Sequence, residues 1–94
     1  MKKNTMNTVK KMIAEHQKLA RDRSLNVHIR SIHEHGYVSF QRIEKMIQFE
    51  YSQYDIVAQI KCEKGYIKEC MPSHKNNITV QEIKKGIFLE LSSL

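Results

Sequence analysis

Residues 39–67 read SFQRIEKMIQFEYSQYDIVAQIKCEKGYI, and the expected fold turns on how this stretch divides. Ser39 can cap a helix through its hydroxyl, and Phe40, Ile43 and Ile47 then recur at i, i+3 and i+7 on one face, predicting a helix over 39–49. Glu50 and Tyr51 interrupt that pattern. Ser52 offers a second cap with Asp55 at the reciprocal position, and Val57, Ile60 and Lys64 continue a helix over 52–64, with Gly65 placed as its C′ residue. Beyond it Tyr66, Ile67, Lys68, Glu69, Cys70 and Met71 read as a strand, stopped by Pro72 and a polar loop, so that 66–80 forms a two-stranded wing with Ile78, Thr79 and Val80 returning.

Outward from this centre, Val9, Met12, Ile13, His16, Leu19 and Ala20 fall at i, i+3, i+4, i+7, i+10 and i+11, one apolar stripe of a helix over 7–23 capped by Asn7 or Thr8. Its opposite face carries Lys10, Lys11, Lys18 and Arg21, which reads as a solvated face or as a phosphate or membrane surface. Leu25, Val27 and Ile29 alternate as a strand would, but Leu25, His28, Ile29 and Ile32 also share a helical face. A helix over 25–35 ending at Gly36 is preferred. At the other end, Thr79 with Glu82 also matches a capping box, and Val80, Ile83, Ile87 and Leu91 form an apolar face on a helix over 81–92, interrupted by Gly86.

Helix, corner, helix, glycine, strand and polar loop is an order that resembles the winged helix-turn-helix family. The run Glu63, Lys64, Gly65, Tyr66, Ile67 is similar to the segment leading from recognition helix to wing. Many members place a Leu four residues before the glycine, where this chain has Lys61, with Ile60 one position earlier. Met46-Ile47-Gln48 and the later Gly-Tyr-Ile further resemble the small centromere-binding adaptors of tubulin-like plasmid and phage partition systems. The resemblance implies a mainly α fold with a small β-wing, a winged helix-turn-helix flanked by N- and C-terminal packing or dimerisation helices. It also implies duplex DNA and a tubulin-like GTPase as partners.

The chain has 94 residues, enough for one domain with one small core. Its net charge of +6 points to an acidic partner, but residues 1–23 hold seven Lys or Arg against two acids, leaving nine against eight elsewhere. Cys62 and Cys70 form no CxxC pattern and no apolar leader follows Met1, which suits a cytoplasmic protein with reduced thiols. No apolar run is long enough to cross a bilayer, so no membrane partner is expected. No paired-carboxylate motif, glycine-rich phosphate loop, nucleophile elbow or zinc spacing is present, so neither catalysis nor a cofactor is expected. His33 and His35 are two apart and cannot share a helical face; His28 with His35 fits better, but no recognised ligand spacing joins them, and no metal is expected.

The functional expectation is a dimeric, sequence-specific DNA-binding protein, serving as a repressor or as a partition adaptor. A protein-interaction module with a degenerate winged helix is the alternative. Gln41, Arg42 and Lys45 are expected to reach phosphate from one helix, and Ser52, Gln53, Asp55 and Gln59 to meet base edges from the next. Tyr51 at the corner is expected on the DNA backbone, Tyr54 inside the core, and Lys68 and Lys75 on flanking phosphates. Val9, Met12, Ile13, Leu19, Ile83, Ile87 and Leu91 are the expected dimer seam.

Overall fold

A computed structural model describes residues 3–69 and 77–94. They form four helices: α1 (Lys3–Ala20), α2 (Val27–Gln48), α3 (Gln53–Glu69) and α4 (Ile78–Ser92). Helix α1 packs chiefly on α2, and α3 and α4 pack on each other and on α2, which thereby becomes the spine. Among the described residues there is no strand, and the expected β-wing is overturned. None of these helices is long and apolar enough to cross a membrane.

The expected break at Gly36 does not occur. Asn26 caps α2 by accepting from the His28 N–H at 2.8 Å, and the helix runs 22 residues, about 33 Å at ordinary rise, through the positions expected to form a C′ glycine, a short segment and a new cap. The reason is phase. Ile29, Ile32, Gly36, Phe40, Ile43 and Ile47 fall on one unbroken helical stripe, and Ile32, Phe40 and Ile43 are wholly buried. Gly36 has no positive φ; its value lies in having no side chain. A Cβ there would stand 3.0 Å from Ile87 Cδ1 of α4 and 3.5 Å from His16 Cγ of α1. Ser39, expected as a cap, sits mid-helix and buried.

Helix α2 ends instead at a Schellman turn. The Glu50 N–H donates to Ile47 O at 3.1 Å and the Tyr51 N–H to Met46 O at 3.0 Å, with Glu50 itself in the left-handed region at φ 57°. A residue with a Cβ is strained there, so the corner is held by its surroundings and not by local preference. Helix α3 then begins as expected, with Ser52 Oγ accepting from the Asp55 N–H at 3.1 Å. It does not stop at Gly65. Ile56, Ile60, Glu63 and Ile67 continue one inward stripe at i, i+4, i+7 and i+11, and Ile67 enters the core, so the residues expected as a first wing strand belong to the helix. Residues 70–76 of the expected wing, Lys75 among them, lie outside the described residues. Ile78, Thr79 and Val80, expected as the returning strand, form the first turn of α4, capped by Asn77 accepting from the Val80 N–H at 3.1 Å.

The core joins Val9 of α1, Ile32, Phe40 and Ile43 of α2, Ile67 of α3, and Val80, Ile87 and Leu91 of α4. Met12, Ile13 and Ile83 pack against it half-buried. Of the residues expected at a dimer seam, Val9, Ile87 and Leu91 are thus buried in the core of the single chain.

A buried polar contact ties α1, α2 and α4 together. His16 Nε2 lies 2.7 Å from Glu90 Oε1, and His16 Nδ1 lies 3.0 Å from His33 Nδ1. A carboxylate only accepts, so a neutral His16 donates from Nε2 and accepts at Nδ1, and His33 must donate. Burial, then the neighbouring His16, lowers the His33 pKa below its ordinary value, against a smaller upward pull from Glu90. A further proton on His33 goes to Nε2 and leaves its Nδ1 hydrogen bond in place, so burial is what chiefly opposes it.

Two predictions follow from these contacts. Gly65 and Gly36 are both helical, but a Cβ at Gly65 meets nothing within 4 Å. Gly65→Ala is expected to stabilise the protein by roughly 0.5–1 kcal/mol in urea unfolding, and Gly36→Leu to destabilise it by about 1–3 kcal/mol. The reverse order would mean that α4 does not approach α2 at Gly36. For pH, the unfolded chain binds a proton on His33 more readily than the folded one. Stability is full above about 6.5 and falls as pH drops from there through the lowered value. Thermal melts at pH 7.5 and 5.5 are expected to show this loss, and His33→Asn, whose amide can still donate, to shrink it.

Candidate nucleic-acid interface

The corner between α2 and α3 presents one helix on another, as a DNA-reading pair requires, but several of its expected contact residues are engaged within the protein. Arg42 Nε and Nη2 donate to Glu63 Oε2 and Oε1 at 2.8 and 2.6 Å, and Gln59 Nε2 donates to the same carboxylate. Glu63 is only 3% exposed. Burial, the largest influence, pushes its carboxyl up, but hydrogen bonds from Arg42, the nearby Ser39 hydroxyl and Gln59, with the Arg42 charge, together hold it below the usual carboxylate range. Ser39 Oγ makes no hydrogen bond of ordinary geometry, yet it lies close enough to favour the charged form. The Arg42 pKa is raised, first by the hydrogen bond to Glu63 and then, against the opposing effect of burial, by the Glu63 charge. The pair is bidentate, the geometry a guanidinium and a carboxylate share best.

Gln41 is likewise occupied. Its amide and that of Gln17 both donate to the Tyr37 hydroxyl, at 2.9 and 3.0 Å, joining α1 to α2. Ser52 is the α3 cap. Lys45, Tyr51, Gln53 and Asp55 are exposed around the corner, and Lys68 lies along the border between α3 and α4. Tyr54, expected inside, is 82% exposed, because Ile56 and Ile60 set the inward face of α3 and leave position 54 on the opposite side.

The unoccupied surface is therefore the outer face of α3. Gln53, Tyr54, Val57, Ala58, Lys61 and Gly65 are all exposed, at the spacing of a single stripe. Phe49, 74% exposed, and Tyr51 extend its first turn with aromatic surface. Towards its other end Lys61, Lys64 and Lys68 of α3 and Lys85 of α4 make the surroundings positive, against Glu69 and Glu82.

Glu63 and Lys84 were not singled out from the chain as functional residues, although a signal existed. Each is a charged residue at a position of an apolar stripe, Ile56, Ile60, Glu63, Ile67 in one helix and Val80, Lys84, Ile87, Leu91 in the other. Among the described residues no group of three or more His, Cys, Asp or Glu stands in a geometry that could hold a metal ion. Comparison with known protein families, curated proteins and solved structures brings out no match to this chain.

Arg42→Ala leaves Glu63 with fewer donors, and about 1.5–3 kcal/mol of stability is expected to go. The cost stays below that of breaking a fully buried pair because the Arg42 side chain is 48% exposed. Lys45→Ala, on the same helix, is expected to change stability by less than about 0.5 kcal/mol. Urea midpoints measure both, and an unchanged midpoint for Arg42→Ala would release the guanidinium for a role towards phosphate.

Proposed function

We propose that the chain is a non-enzymatic, cytoplasmic DNA-binding protein that meets duplex DNA with the outer face of α3. The observation that carries this is the face itself: a helix entered through a tight corner, with its inward stripe fully committed and its outward stripe used by no other helix. Gln53, at the exposed start of α3, has the paired donor and acceptor that suit adenine. Lys61, Lys68 and Lys45 are long, exposed cations able to meet phosphate around it. Arg42 and Gln59 hold α3 through Glu63, and Gln41 helps hold α1 to α2 through Tyr37, so their part in DNA binding is to keep the reading helix and its support in place.

Pairing of two copies would give a two-fold DNA site, but it has to use faces other than Val9, Ile87 and Leu91, which the core occupies. Repression and partition are two uses of the same activity. Cooperative binding to clustered repeats, with a tubulin-like GTPase recruited, marks the adaptor; binding to a lone palindrome marks the repressor.

A protein partner is the second reading, favoured by the exposed Phe49, Tyr51, Tyr54 and Val57 around the corner and by the lack of any Lys or Arg between Gln53 and Ile60. Salt separates the two, since phosphate contacts release counterions and apolar contacts do not. In anisotropy titrations against duplexes selected from a random pool, Gln53→Ala is expected to cost roughly 1–3 kcal/mol at one base position. Lys61→Ala is expected to weaken all sequences alike and to lower the salt slope by about one. Affinity independent of salt, or no selection of duplexes at all, would favour the protein partner.

A further inference from the structure

Between the C-terminal half of α3 and α4 lies an open groove of about 410 Å³. Ile67, Phe88 and Leu89 give it an apolar wall, and Lys68, Lys84 and Lys85 give it charge. Among the described residues no Asp or Glu lines it. Lys64 adds a fourth ammonium nearby, 4.9 Å above the Phe88 ring.

Lys84 is the unusual member. It is 8% exposed, on the inward stripe of α4, and it forms no ion pair or hydrogen bond with any described residue. Residues 1, 2 and 70–76 contain no Asp or Glu, so they hold no side-chain carboxylate for it either. The side chain is buried along most of its length, no carboxylate among the described residues balances its charge, and an apolar residue at this position of the stripe would avoid the cost of burying it. Its methylene stem suits the apolar wall, and its charge asks for an anion.

We propose that this groove binds a small organic anion, a carboxylate or phosphate monoester carried on an apolar chain or ring. Lys84 is its charge partner and Ile67, Phe88 and Leu89 contact its apolar part. The volume falls in the range of ordinary small-molecule sites, in which a mostly apolar lining with a few polar groups sets orientation. Lys68 and Lys85 at the rim draw the anion in and add little discrimination, being exposed and hydrated. Headgroup charge and apolar body are both required: an inorganic anion lacks the second and an alcohol lacks the first. The proposal does not rest on DNA binding: it shares Lys68 with that reading, but Lys84, Ile67, Phe88 and Leu89 take no part in it.

The test is a methyl-resolved NMR titration of the full chain with octanoate and with phenyl phosphate, using octanol and inorganic phosphate as controls. Saturable shifts at the Ile67 and Leu89 methyls are expected with octanoate or phenyl phosphate, and weaker or none with the controls. Lys84→Met, which keeps length and places an apolar residue on an apolar stripe, is expected to weaken binding of the organic anion by about tenfold or more. Lys84→Arg is expected to stay within about threefold of the unmodified protein, since it keeps the charge. Should Lys84→Met fail to fold, the unmodified protein still decides the matter through the contrast between octanoate and octanol. No shift at these methyls up to millimolar anion, octanol binding as tightly as octanoate, or equal affinity in a folded Lys84→Met would overturn the proposal. So would a groove that responds to duplex DNA and to neither organic anion.

Discussion

Three helices meet most tightly in this molecule where α2 has no side chain, at position 36. Ile87 of α4 and His16 of α1 occupy the space that a Cβ would need, and the interior tolerates few voids or overlaps at such a crossing. With α4 drawn this close, Ile87 and Leu91 are buried and Glu90 comes within reach of His16. The glycine thus acts through close approach and not through backbone freedom, and its place in mid-helix follows from that.

Around this contact the helices are connected by polar groups as well as by apolar ones. His16, His33 and Glu90 join α1, α2 and α4; Gln17, Tyr37 and Gln41 join α1 and α2; Arg42, Gln59 and Glu63 join α2 and α3. Apolar packing is tolerant of small rotations, whereas hydrogen bonds between side chains are directional, so these sets define which faces meet. The polar atoms of these residues are thereby engaged within the protein, and the outer face of α3 is left with Gln53, Lys61 and its exposed aromatic neighbours to offer a partner.

Much of the local structure was legible in the chain. The stripe of Val9, Met12, Ile13 and His16, the Ser52 cap and the inward face of Val80, Ile83, Ile87 and Leu91 were all read correctly, because helix periodicity and capping are local properties. The long α2 reads locally as two short helices because Gly36 is equally suited to a C′ position and to a helix crossing, and only the partner helices distinguish them. The run Gly65, Tyr66, Ile67 was read as the start of a strand for the same reason: aromatic and β-branched residues fit a strand locally, but Ile67 completes a stripe begun at Ile56, and its burial against the core prevails. Polar residues on a helix resemble solvated ones until a buried charge is found to need them. Arg42 and Gln59 therefore read as outward residues, while Glu63, a charge on an apolar stripe, holds the information that redirects them.

The bond between His16 and Glu90 joins residues 74 apart in sequence. Most other packing in the fold joins helices that follow one another along the chain, α1 on α2 and α3 on α4, so little entropy of loop closure opposes either pair. The imidazole and carboxylate meet only where both pairs are docked across α2, so the entropy of closing the longest loop in the fold weighs on this contact. A break in that bond therefore removes a polar tie between the first described helix and the last without touching either sequential pair.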